Sequence, residues 1–225
     1  MTGSIKKILV FAAHPDDEVL GCGGIIQHFV KEGSNVVVCI LTDGWTTQYS
    51  DNPILGNKKK SESVFANKLL GVDKVIQLDF PDMKLDQVSH AEINKKLQQI
   101  IDEVKPEIIF TQSNSDLNLD HQQLYLSTMV ATRPGNKYLK KVYTYEVGSS
   151  SEWNPQEAFI PNVFFDISSY IDKKIESFQE YKSEIRDFPH PRSAEGIRVL
   201  AKLRGMQSGY KFAESFKLIR SYGEI

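Results

Sequence analysis

The chain has 225 residues, 40% of them hydrophobic and 25% charged, an ordinary globular composition that suits one α/β domain. Its formal net charge of −2 offers no basic excess to neutralise a run of phosphates, which excludes nucleic acid as a partner. Two cysteines make no disulfide framework, and no apolar run approaches the roughly 18 residues that a membrane span requires.

Residues 1–7 are too few and too polar for a signal peptide. Reduced thiols at Cys22 and Cys39 fit a soluble, cytoplasmic protein. Residues 7–12 (KILVFA) form a continuous apolar run, as expected of a parallel strand covered on both faces. Residues 18–32 predict a helix with Ile25, Ile26, Phe29 and Val30 as its stripe and Gly33 as its stop. Within it, Gly21-Cys22-Gly23-Gly24 lacks the GxGxxG spacing of a dinucleotide site. The glycines are read instead as allowing the helix close to the sheet. Residues 35–41 (NVVVCIL) are a second buried strand, ended by the turn signal Thr42-Asp43-Gly44.

Residues 45–57 are polar and turn-rich and predict a long loop, with Trp45 and Tyr49 available to stack on a ligand. The run Lys58-Lys59-Lys60 reads as a solvated loop or helix start. A helix over 59–70, a strand over 74–78, a helix over 90–104 and a strand over 107–111 follow. Strands at 141–146 and 162–167, a helical stretch at 169–186 and a helix starting at 193–205 complete the chain. Alternating strands and helices imply a Rossmann-like α/β fold with a mainly parallel sheet flanked by helices, here with a helical C-terminal portion. No repeat or linker divides it, so residues 1–225 are read as a single domain. Sites in such sheets lie beyond the carboxyl ends of the strands.

Two such ends carry the chemistry. After the first strand comes Ala13-His14-Pro15-Asp16-Asp17-Glu18, and after the fourth comes Ser115-Asp116-Leu117-Asn118-Leu119-Asp120-His121. Adjacent aspartates repel, and an oriented histidine beside them calls for a compensating cation. His14 and Asp17 span one turn and can face one point, to which His121 arrives from the neighbouring strand. Two imidazoles and a carboxylate suit zinc with a fourth position open. Asp16 is placed to accept a proton, and Asp120 to fix an imidazole tautomer or orient the site.

The run Ala13–Glu18 (AHPDDE) resembles the signature of the PIG-L/LmbE-type N-deacetylase family, and Asp120-His121 is similar to its second motif. Thr42-Asp43-Gly44, Glu62 with Ala66 and Leu70-Gly71, and Ala213-Glu214 with Phe216 fit as well. The resemblance implies a mononuclear zinc site held by His14, Asp17 and His121, with Asp16 as general base. It implies hydrolysis of the N-acetyl group of an amino sugar or related amide. Its partner is then a small acylated amino-sugar molecule.

Two departures matter. Many members carry a histidine three residues before the last ligand, where this chain has Asn118. An amide can donate to an oxyanion but is no general acid. Either Asp16 moves the proton both ways or another residue supplies it, His190 in Pro189-His190-Pro191-Arg192 being the candidate. No arginine lies in the 58–62 stretch, where Lys59 or Lys60 stands in as a point charge. Arg192 and Arg198 are expected on the surface. Two competing readings remain: a weakly active metal- and sugar-binding protein, and a zinc amidohydrolase for a non-sugar amide.

Overall fold

The computed structural model describes residues 6–45 and 53–223, with side chains from 58 onward in the second segment. Among the described residues, seven strands form one sheet in the order β3-β2-β1-β4-β5-β7-β6. They are β1 Lys7–Ala12, β2 Asn35–Thr42, β3 Lys74–Phe80, β4 Ile108–Gln112, β5 Lys141–Tyr145, β6 Val163–Asp166 and β7 Ala213–Ser221. The first five are mutually parallel, and β7 runs antiparallel to both β5 and β6.

Among the described residues, six α-helices flank the sheet: α1 Asp17–Lys31, α2 Pro53–Leu70, α3 His90–Val104, α4 Leu119–Ala131, α5 Ile171–Phe178 and α6 Ala194–Ser208. Strand β1 shows why the sheet is central. Ile8, Val10 and Ala12 enter one core, while Leu9, Phe11 and Ala13 enter the other. Alternation of side chains across the strand, with both faces apolar, buries both faces. The α3 stripe of Ile93, Leu97, Ile100 and Ile101 fills the second core.

Helix α1 approaches the sheet closely, and its glycines are the reason. A Cβ at Gly21 would lie 2.1 Å from Cδ2 of Tyr145, and one at Gly24 would lie 2.6 Å from Ile167. The space beside Gly24 holds an ion pair. Glu214 accepts the backbone N–H groups of Gly24 and Ile25, each at 2.7 Å, and Lys174 Nζ donates to the Leu20 carbonyl at 2.7 Å. Lys174 and Glu214 meet at 2.7 Å with both side chains buried.

Several expectations differ from this arrangement. The loop over 45–57 is shorter, because α2 begins at Pro53, whose fixed φ and missing N–H suit the first helical position. Tyr49 lies outside the described residues. The helical stretch at 169–186 ends at Phe178. Turns then bond Tyr181 N–H to the Phe178 carbonyl and Glu184 N–H to the Tyr181 carbonyl. Helix α4 and strand β7 have no counterpart in the sequence reading. Both bury polar groups, Asp120, His121, Ser127 and Thr128 in α4 and Glu214 and Ser215 in β7, which blurs the apolar period that reveals an element.

Candidate metal centre

Strand order reverses between β1 and β4, which are neighbours with β2 on one side and β5 on the other. Such a switch point opens a crevice beyond the strand ends. The two motif-bearing turns lie there, joined by Gln112 at the end of β4. Its amide accepts the Ala13 N–H at 2.9 Å and donates to Asp17 Oδ2 at 2.8 Å.

Three of the residues singled out from the sequence converge. His14 Nδ1 lies 3.2 Å from Asp17 Oδ2 and 3.2 Å from His121 Nε2, and His121 Nε2 lies 3.3 Å from Asp17 Oδ2. Ligands placed tetrahedrally at zinc bond lengths stand about 3.3–3.4 Å apart. The triangle therefore has the dimensions of three corners of such a polyhedron. Asp17 Oδ1 is buried without a hydrogen-bond partner, a cost that a cation offsets. Two imidazole nitrogens and a carboxylate thus fit a metal ion.

Carboxylates hold both rings from behind. Asp120 Oδ2 sits 3.1 Å from His14 Nε2 and its Oδ1 accepts the Leu85 N–H at 2.9 Å. Asp120 therefore braces His14 across the site, and not the His121 ring next to it in sequence. His121 Nδ1 is 3.1 Å from Asp116 Oδ1. Asp116 had no role in the sequence reading, although it opens the same motif. Asp82 Oδ1 comes within 3.6 Å of His14 Nε2, so the turn after β3 reaches the site.

These contacts set the charges. Burial disfavours charge on both rings, but the bonds from Asp120 and Asp17 outweigh it and raise His14 to about 10. For His121, burial is outweighed by Asp17 and Asp116, and the value rises to about 9. Burial also opposes the charge of Asp17, yet His121 and His14 hold it well below the carboxylate range. Asp116 is lowered in the same way, burial being overcome by His121 and then by the Ser150 and Ser151 hydroxyls. A metal competes with protons for these nitrogens.

Asp16 has φ 113° and ψ −28°, a strained conformation for a residue with a Cβ. Its carbonyl accepts the N–H groups of Val19 and Leu20 at 3.0 and 2.9 Å, and its N–H donates to Glu18 Oε2 at 3.1 Å. Glu18 in turn accepts from Asn67 at 2.8 Å and from the Tyr181 hydroxyl. The Asp16 side chain reaches Arg192, whose Nη1 is 3.3 Å from Asp16 Oδ2. Burial raises Asp16 to about 8 against the pull of Arg192.

Arg192 is the main correction. Expected on the surface, it is largely buried, with Nη1 2.7 Å from Glu184 Oε2 and Nε donating to the Ser149 hydroxyl at 2.8 Å. Glu184 also meets Lys59 at 2.6 Å, so Lys59 is a buried partner and not a solvated one, whereas Lys60 pairs with Asp79 at 2.6 Å. Arg198 pairs with Asp172 at 2.6 Å on the exposed face of α6, as expected. Nothing in one sequence links Arg192 and Glu184 to Asp16; only the turns after α5 bring them in.

A cavity of about 50 Å³ opens on this site, lined by His14, Asp16, Lys59, Asn118, Glu184 and Arg192 among others. Asn118 caps α4 with Oδ1, which accepts the Asp120 N–H at 2.9 Å. That leaves its Nδ2 as a donor on the cavity side, 3.5 Å from Met83 Sδ. Trp45, expected to stack on a ligand, and His190, the candidate acid expected at the pocket, are absent from the lining. Trp45 donates its N–H to Asp43 Oδ1 at 3.1 Å. His190 packs edge-on against Trp153, and its Nδ1 accepts the Arg192 N–H at 3.1 Å. Burial, with Arg192 nearby, lowers His190.

Comparison with known proteins shows the family. Residues 9–132 match the family described as PIG-L, GlcNAc-PI de-N-acetylase. The uncharacterized deacetylase YaiS of Escherichia coli K12 is 28% identical over 187 residues, covering 79% of this chain and 91% of the relative. Diacetylchitobiose deacetylase of Thermococcus kodakarensis is 24% identical over 226 residues, with 96% of this chain and 84% of the relative covered. Among solved structures, the 4-carboxy-2-hydroxymuconate hydratase GalB of a Pseudomonas superposes with a TM-score of 0.79 at 21% identity, over 98% and 99% of the two chains. That likeness speaks to the fold and not to the reaction.

Proposed function

Because the chain belongs to the PIG-L family, we propose that it is a zinc-dependent hydrolase that removes the N-acetyl group of an amino sugar or sugar conjugate. One deacetylase domain over residues 1–225 carries the activity. The observation behind this reading is the His14–Asp17–His121 triangle, with sides of 3.2–3.3 Å, beside a buried carboxylate outside it. The cavity of about 50 Å³ has room for an acyl group of acetyl size, so the sugar lies outside it. The two cysteines are free and buried, which suits the cytoplasm, and no described helix is long and apolar enough to cross a membrane.

His14, Asp17 and His121 would hold zinc, which when bound would supply Lewis acidity and make water more acidic. Asp16 accepts the proton of the attacking water. It then delivers that proton to the departing amine, the role Asn118 cannot fill. Asn118 Nδ2 donates to the oxygen on which charge develops. Arg192 keeps Asp16 aimed into the cavity, and Lys59 fixes Glu184 behind it. The products are a free amine and acetate.

The test is metal content of wild type and His121→Ala, together with amine release from N-acetylglucosamine conjugates. About one zinc per chain, lost in the variant, with acetate released, supports the reading. Zinc without release from any acylated sugar moves the activity to another amide or to binding alone. Protein that takes up no zinc overturns the ligand set.

A further inference from the structure

Three consecutive serines, Ser149, Ser150 and Ser151, follow β5, and each hydroxyl reaches a group that holds the site. The Ser149 hydroxyl accepts from Arg192 Nε at 2.8 Å. The Ser150 hydroxyl donates to Asp116 Oδ1, and that of Ser151 donates to Asp116 Oδ2 at 2.6 Å. Asp116 Oδ1 also accepts the Asn118 N–H at 2.9 Å and faces His121 Nδ1 at 3.1 Å. Both oxygens of Asp116 are thus engaged, with Oδ1 at ion-pair distance from the His121 ring.

The turn is itself built to aim these hydroxyls. Glu152 accepts the N–H of Ser149 at 2.6 Å and of Ser150 at 3.2 Å. Ser149 is held at φ 76°, in the left-handed region. The Ser151 hydroxyl accepts the Val147 N–H at 2.9 Å while donating to Asp116. Asn154 ties the segment to the Asp116 turn through the Ser115 carbonyl at 3.0 Å. A turn needing only polar residues would leave hydroxyls to solvent. Here Ser150 and Ser151 are buried and spend their protons on one carboxylate.

We propose that the turn at 149–151 is a positioning element with two separable outputs. Ser150 and Ser151 set metal affinity through Asp116 and His121. Ser149 sets the aim of Asp16 through Arg192. The inference rests on the ligand set and base proposed above. Partners behind a ligating histidine are worth roughly 10–100-fold in metal affinity, and here the serines act one step further out.

The experiment measures zinc affinity by chelator competition, and the melting temperature of the metal-free protein, for wild type, Ser150→Ala/Ser151→Ala, Ser149→Ala and His121→Ala. The double variant is expected to bind zinc about tenfold more weakly, with a lowered metal-free melting temperature from the two lost buried bonds. Ser149→Ala is expected to keep wild-type zinc affinity and lose several-fold in kcat at unchanged KM. Zinc affinity within twofold of wild type in the double variant, with zinc lost in His121→Ala, overturns the inference and leaves the ligand set standing. Zinc retained by His121→Ala overturns the ligand set and this inference together. Should the double variant not fold, Ser150→Ala alone, which removes one of the two bonds, is held to the same twofold limit.

Discussion

The Lys174–Glu214 pair makes a quantitative prediction about α1. Replacing Lys174 with Met keeps the aliphatic stem that packs against Gly23 and removes only the charge. Glu214 then stays buried with no cation, and the Leu20 carbonyl loses its donor. Breaking a buried ion pair from one side costs about 3–5 kcal/mol. Glu214 keeps the two backbone N–H groups of Gly24 and Ile25, and bonds of this charge-assisted kind are worth about 1.5–3 kcal/mol each. The loss therefore falls at the lower end, about 3 kcal/mol. At a urea slope of about 3 kcal/mol/M, the midpoint drops by about 1 M. Urea unfolding of the metal-free protein, followed by far-UV circular dichroism, measures it. Lys174→Met with Glu214→Gln removes both charges and is expected to recover part of the loss, because no unpaired ion remains. A loss below about 1 kcal/mol in Lys174→Met, or strict additivity in the double variant, would refute the argument that this pair stabilises the helix as a unit.

Three further outcomes are expected. Gly21→Ala drives a methyl into Tyr145, whose ring is pinned by its hydroxyl on the Phe11 carbonyl at 2.7 Å. It should cost about 1–3 kcal/mol or more, and an unchanged melting temperature contradicts the packing. Asn118→Ala removes an amide donor at the cavity and should lower kcat about 10²–10³-fold with zinc retained; a kcat within threefold of wild type removes Asn118 from the mechanism. The metal-free protein should lose stability as pH rises. His14 and His121, raised to about 10 and about 9, contribute stability that is full below their unfolded value near 6.5 and is lost as pH climbs through their folded values. Asp16, raised to about 8, acts in the same direction. Zinc uptake needs those nitrogens free of protons, so the stabilisation conferred by added zinc should grow between pH 7 and 9. A melting temperature flat across that range for both forms counts against these charge states.

Much of the first half was legible because its elements obey one rule at a time. Strand β1 is a pure apolar run and α3 a clean stripe, and their bounds agree with the sequence reading. The two motif turns were readable because the crevice rule says where such turns go. What was missed breaks the same rules for a reason. Helix α4 turns Asp120 and His121 inward, and β7 carries Glu214 into the core, so function and ion pairing overwrite the hydrophobic period. Arg192, Glu184 and the serines after β5 act at the site from far along the chain. No spacing in a single sequence records that proximity.

The position of β7 bears on how the protein is made. Among the described strands, the last in sequence is not an edge strand. It is wedged between β5 and β6 and pairs with both. During synthesis, the sheet from β3 to β5 can form while the lower-numbered strands are complete, but β6 has no neighbour until β7 arrives. Until then the open flank of β5 presents unpaired backbone groups, a template for pairing with another chain. Pairings so distant in sequence form slowly. A chain cut before Ala213 therefore loses more than a tail. It gains an exposed strand edge, frees β6 and withdraws the Glu214 carboxylate from the middle of α1, so aggregation during folding, and not a modest loss of activity, is what shortening the C-terminus should bring.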